Sequence, residues 1–134
     1  MSRTVLIPHD EKIHRGGEDS AHTCSSLITV ADGVGGWINS GVNPGFYSRS
    51  LTKHILEKHI SDPKKSTRQL IIESNDEAAM RFEGSATIVA LKLKNEKTLQ
   101  TTWIGDSGYA LYRIGESQDG NPLTVSLIYK SKEG

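Results

Sequence analysis

Three short stretches of the chain set carboxylates beside glycines: Gly16-Gly17-Glu18-Asp19, Val30-Ala31-Asp32-Gly33-Val34-Gly35-Gly36-Trp37 and Gly105-Asp106-Ser107-Gly108. Carboxylate oxygens suit hard divalent cations such as Mg²⁺ and Mn²⁺, which take oxygen ligands and keep several waters. A glycine next to the carboxylate has no Cβ, so the Gly33 carbonyl can approach as an added oxygen donor. Two such cations about 3.5–4 Å apart can bridge a hydroxide and direct an in-line attack on phosphate. Asp32, at the mouth of an apolar run and followed by three glycines in four positions, is the strongest candidate to hold a metal.

Plainer chemistry competes at each stretch taken singly. Asp-Gly pairs are common turn formers, and "EDS" reads as a helix cap or surface turn. "GVGG" is not followed by Lys-Ser/Thr, which argues against a phosphate-cradling P-loop. Ser20 and Ser107 lack a His-Asp partnership, so a serine nucleophile is a poor reading. His54 and His59 are five apart on a helical stretch and read as solvated. His9 and His22 read as surface or supporting residues, and Trp37 and Trp103 as packing.

The elements that position these stretches follow from periodicity and punctuation. "SSLITVA" (25–31) reads as a buried strand, and 32–42 as a glycine-rich loop. Asn43-Pro44 opens a helix to about Ile60, with Tyr47, Leu51, Ile55 and Lys58 on one face beside Phe46. Asp62-Pro63 breaks it. Ser66 to Gln69 has capping-box spacing and begins a second helix with Leu70, Ile71, Ser74 and Ala78 inward. Then come four β-rich runs, 85–93, 98–105, 108–114 and 123–129, with turns over 94–97 and 116–122. Val89, Leu91 and Leu93 alternate on one face, and Ile88 and Ala90 make the other apolar too. The expectation is one unit in which helices cover one side of an antiparallel sheet covered on both faces.

Composition sets the limits. The chain has 134 residues, enough for one domain with a real core. Lys+Arg and Asp+Glu balance at 16 each, and no basic run is long enough to argue for nucleic acid. No apolar run approaches the ~18 residues of a membrane span. Cys24 is the only cysteine, which excludes an intrachain disulfide and a cysteine-built zinc site. A reducing, intracellular compartment fits, cytoplasmic or mitochondrial, and the first twelve residues lack a secretory apolar core.

Taken in order, "GGEDS", "VADGVGGW", "GSATIVAL" and "GDSGYALYR" resemble the metal-dependent, type 2C serine/threonine protein phosphatases, from about Ile7 to Arg113. The "ADGVGGW" and "NPGFYSRSL" variants look most like the branch with mitochondrial and plastid members. The resemblance implies an α+β fold, an antiparallel β-sandwich flanked by helices, with Mn²⁺ or Mg²⁺ in a cleft at one edge. It implies that Asp32 and the Gly33 carbonyl hold two metals and that Glu18, with Asp19 beside it, binds one directly or through water. Asp106 falls near a third, weaker metal. An Arg or Lys upstream of "ED" grips the substrate phosphate; Lys12, His14 and Arg15 all qualify, and Arg15 is favoured because its planar fork suits phosphate.

Two departures qualify this. Many family members carry His after "DG" as a proposed general acid; here it is Val34. The family's later "DG" and "DN" aspartates, which complete the metal site, would lie beyond Gly134, so residues 1–134 are expected to be the N-terminal half of such a domain. The expected activity is hydrolysis of phosphoserine or phosphothreonine in a protein substrate by metal-bound hydroxide, weak or absent in this chain alone, with apolar faces such as Val89 and Leu91 left uncovered. The rival is a non-catalytic relative that binds phosphoproteins or partner proteins.

Overall fold

The computed structural model describes residues 4–6, 10, 17–115 and 124–132. Strand β1 (Asp19–Thr23) leads into β2 (Leu27–Gly33), a 3₁₀ turn (Gly35–Ser40), helices α1 (Pro44–Ser61) and α2 (Thr67–Arg81), and strands β3 (Ala86–Asn95), β4 (Thr98–Ile104), β5 (Ala110–Gly115) and β6 (Thr124–Lys130). The class is α+β, with antiparallel sheets and flanking helices.

Local chemistry starts both helices where the sequence signals. Asn43 Oδ1 accepts from the Gly45 N–H at 2.9 Å, with Pro44 in the first helical position. Ser66 Oγ accepts from the Gln69 N–H at 3.1 Å. Tyr47, Leu51 and Ile55 of α1 and Leu70, Ile71 and Ala78 of α2 then meet Leu27, Ala31, Ile88 and Ala90 of the sheet in one core. Lys58 lies at the margin of that face and bonds Glu77 on α2.

The main sheet has the order β1-β2-β3-β4, antiparallel throughout. Burial alternates along β2, with Leu27, Thr29, Ala31 and Gly33 buried and Ile28, Val30 and Asp32 exposed. Residues opposite one another across a ladder share a face. The buried face of β2 is therefore continuous with Ile88 and Ala90, and its exposed face with Thr87, Val89 and Leu91. The helices cover the first face only. On the second, Ile28 and Val30 remain 39% exposed, so the expected cover on both faces is only partial among the described residues. Val89, expected to be uncovered, is 5% exposed, because it sits on a central strand between Val30 and Trp103.

The expected four-strand meander divides. β3 and β4 stay in the main sheet, while among the described residues β5 and β6 pair only with each other. The break is at Gly105, whose φ of 90° is costly for a residue with a side chain and whose Cβ would stand 2.5 Å from Thr87 Cγ2. Tyr109 then ties the two sheets, through its hydroxyl to Thr101 Oγ1 at 2.9 Å and its ring edge-on to Trp103 at 5.8 Å. Trp103 Nε1 donates to the Lys132 carbonyl at 3.0 Å. The expected turn over 116–122 lies outside the described residues. Among those described, no helix is long and apolar enough to cross a membrane.

Candidate active site

The β1–β2 ladder places Asp19 directly opposite Asp32, and both are exposed. Asp32 and Gly33 are the last residues of β2 and not the start of a loop, because β3 pairs with them through Thr87 and Ala86. Thr87 thus stands beside Asp32 on the same face. Its hydroxyl hydrogen-bonds Ser107 Oγ, next to exposed Asp106. β4 runs antiparallel to β3 and ends at Ile104 opposite Ile88, which brings the 105–107 turn back to this end of the sheet. A row of oxygen-bearing residues, Asp19, Asp32, Thr87 and Ser107, crosses one end of the main sheet, with Asp106 at its margin. Thr87 belongs to the "GSAT" stretch, and its position beside Asp32 depends on strand register, which residue types alone do not carry.

Glu18 is placed differently from its neighbour. It is 4% exposed, whereas Asp19 is open to solvent. The Glu18 carbonyl accepts from the Gly33 N–H at 3.1 Å and from Ser48 Oγ of α1 at 2.5 Å. Gly33 is bare for a packing reason: a Cβ there would stand 2.7 Å from the Glu18 carbonyl oxygen and 3.0 Å from that of Pro44. The end of β2 is wedged between the start of β1 and the start of α1. Among the described residues, no group of three or more His, Cys, Asp or Glu is arranged to hold a metal ion. Lys12, His14 and the favoured phosphate ligand Arg15 lie outside the described residues.

Val34 follows Gly33 and is exposed; its N–H donates to the Ser85 carbonyl at 2.9 Å. Trp37 Nε1 donates to Ser85 Oγ at 2.9 Å, which pins the 3₁₀ turn beside the acidic end, where a loop was expected. Val34, Gly36, Trp37 and Ser40 line a shallow depression there. The histidines depart from expectation. His22 Nδ1 is 2.8 Å from Thr52 Oγ1, and burial, then Lys53, lowers its pKa against an opposing pull from Glu57. His59, read as solvated, is 4% exposed and hydrogen-bonds Ser26 Oγ through Nε2 at 2.7 Å. Burial, then Lys92, lowers its pKa. His54 is also held in place, with Nε2 3.2 Å from Glu77.

No protein-family model matches the chain. Individual proteins do. It is 31% identical over 125 residues to "Probable protein phosphatase 2C 55" of Arabidopsis thaliana, covering 92% of this chain and 27% of that protein. It is 35% identical over 134 residues to "Probable protein phosphatase 2C BIPP2C1" of Oryza sativa subsp. japonica, covering 96% and 23%. It is 36% identical over 115 residues to "Protein phosphatase PTC7 homolog fig" of Drosophila pseudoobscura pseudoobscura, covering 77% and 33%. In three dimensions it is similar to the X-ray structure of the photosystem II phosphatase PBCP, with a TM-score of 0.69 and 28% identity over 96% of this chain and 48% of that one. The chain belongs to the type 2C protein phosphatase family. It spans roughly a quarter to a third of the length of these curated type 2C relatives and about half of the type 2C structure. The type 2C fold accounts for the split meander: β1–β4 and the β5–β6 pair belong to two antiparallel sheets with helices outside.

Proposed function

We propose that this chain is part of a protein serine/threonine phosphatase whose reaction centre is the acidic end of the main sheet. The observation that carries the proposal is the cross-strand pair Asp19–Asp32, set in one row with Thr87 and next to Asp106. The donor set is all oxygen, which fits Mg²⁺ or Mn²⁺ and not a soft metal. Asp32, Asp19, Glu18, Asp106 and the Gly33 carbonyl would hold the cations, up to two or three in a whole domain. A divalent cation bound there supplies charge neutralisation for the phosphoryl group and an acidified water.

The chain's own residues do the rest. The exposed carboxylates give the cleft the negative charge that draws a cation in. Arg15 would grip two phosphate oxygens of a phosphoserine or phosphothreonine protein substrate and orient the ester. With Val34 where other members place His, the residue after Gly33 has no proton to donate to the leaving serine or threonine oxygen. A single free thiol, Cys24, suits a reducing compartment.

A second reading, a non-catalytic relative that binds phosphoproteins or partner proteins, is favoured by the lack of a three-ligand group among the described residues. The deciding experiment measures Mn²⁺ binding by calorimetry and Mn²⁺-stimulated phosphate release from a phosphopeptide, for the parent and for Asp32→Asn. The enzyme reading expects the variant to bind Mn²⁺ more weakly and, in any longer active form, to lose turnover. Equal metal binding and turnover in both would leave Asp32 as an ordinary strand residue and remove the proposal.

A further inference from the structure

The opposite end of the main sheet carries the reverse charge. Lys92, paired with Leu27 on β2, is only 5% exposed. Its ammonium donates to the backbone carbonyls of Lys65, at 2.7 Å, and Pro63. Among the described residues, no carboxylate pairs with it. A buried cation without a counter-charge is costly, and buried charges are ordinarily paired. The neighbouring carboxylates are engaged elsewhere: Glu73 pairs with Lys65 at 2.7 Å, Glu77 with Lys58, and Asp62 Oδ1 accepts from the Lys64 N–H at 3.2 Å.

Beside Lys92 is a second uncompensated group. His59 Nε2 is taken by Ser26, but His59 Nδ1 is buried with no hydrogen-bond partner among the described residues. Burial and Lys92 keep this imidazole neutral near pH 7, so it brings a neutral hydrogen-bonding group and no further positive charge. Ser26, His59, Pro63, Lys64, Lys92, Leu93 and Lys94 line one cavity of about 400 Å³. Three lysines and a serine are thus among its lining residues; Lys92 is buried, and Lys64 and Lys94 are exposed.

We propose that this cavity binds a phosphate group, as the free anion or as a small phosphomonoester, held by Lys92, Lys64 and Lys94 with the Ser26 hydroxyl. A tetrahedral dianion matches several donors arriving from different elements, and lysine ammonium groups bind phosphate as point charges. The bound anion supplies the missing counter-charge for Lys92. The site is separate from the Asp19–Asp32 end and uses none of its residues.

The test uses the 134-residue chain in EDTA, with calorimetry and thermal melts in inorganic phosphate, O-phosphoserine or chloride at matched ionic strength. Phosphate is expected to raise the melting temperature beyond chloride and to shift the His59 ring resonances. Lys64→Gln with Lys94→Gln, both exposed and outside the Lys92 carbonyl contacts, is expected to weaken binding about tenfold or more. Lys92→Met is expected to abolish binding where it folds, and Asp32→Asn to leave it intact. Tighter binding of O-phosphoserine assigns the site to an ester, and tighter binding of phosphate assigns it to the free anion. No excess over chloride, equal affinity in the lysine double variant, or loss of binding in Asp32→Asn overturns the proposal. The assay holds no divalent cation and reads no turnover, so its failure is separate from failure of the phosphatase reading.

Discussion

Asp19 and Asp32 face each other across the β1–β2 ladder, and both side chains are open to solvent. Like charges directly opposite one another destabilise a strand pair. On the proposed reading, a divalent cation bound there would offset that repulsion. Mn²⁺ should therefore raise the melting temperature of the parent protein, since a ligand that binds only the folded state stabilises it. Asp32→Asn should remove most of that gain. Calorimetry and thermal melts with and without Mn²⁺ check this, and an undiminished gain in the variant would show the cation binds elsewhere.

Gly33→Ala tests the wedge between β1, β2 and α1. Its Cβ would meet two backbone oxygens, those of Glu18 and Pro44, and neither is the tip of a flexible side chain. Relief requires moving α1 or β1, so a loss of about 1–3 kcal/mol is expected, the usual cost of overpacking. Urea unfolding of the two proteins gives the value.

Ser66→Ala removes the side-chain acceptor for the Gln69 N–H at the start of α2. The expected loss is about 1 kcal/mol, as for other N-caps. Far-ultraviolet circular dichroism during urea unfolding reads it, and a Ser66→Asp variant should restore most of the loss.

Stability should fall in mild acid. The His59 pKa is lowered from 6.5 by burial and then by Lys92, and that of His22 by burial and then by Lys53, with Glu57 opposing. Folding therefore favours the neutral rings. Their contribution is complete above the unfolded value and is lost as pH falls from about 6.5 through the folded values, because the unfolded chain binds more protons there. Around His59, the groups contributed by other elements are the Ser26 hydroxyl and the Lys92 ammonium. Denaturation curves between about pH 7.5 and pH 5.5 should show a smaller acid loss in His59→Gln than in the parent.

What could be read from the sequence was whatever rests on neighbours in the chain. Asn43-Pro44 and Ser66-Gln69 start helices through contacts within three residues, so both helices lie where expected. β1 was harder to read because "DSAHT" has no apolar alternation; its inward residue Ser20 is satisfied by Thr52 on α1, at 2.8 Å. The 3₁₀ turn was hidden by its glycines. His59 looked solvated because Ser26 and Lys92, the residues that bury it, are 33 residues away on either side. At the acidic end, residue types made Asp32, Asp19 and Asp106 candidates, but only register could reveal that Asp19 opposes Asp32 and that Thr87 joins their row. Burial of Glu18 apart from Asp19 was equally beyond a linear reading.

The pairing of β5 with β6 alone has a consequence for how the molecule opens. The main sheet is backed by two helices and a shared apolar core, whereas most of the β5–β6 ribbon is exposed, and among the described residues its hydrogen-bonded links to the main sheet include those of Tyr109 with Thr101 and of Trp103 with Lys132. An isolated two-stranded ribbon is marginal in water. Its amide protons should therefore exchange with solvent through a low-energy local fluctuation, while those of Ile88–Ala90 wait for global unfolding. The chain would then behave as two cooperative units of unequal lifetime joined at the left-handed Gly105.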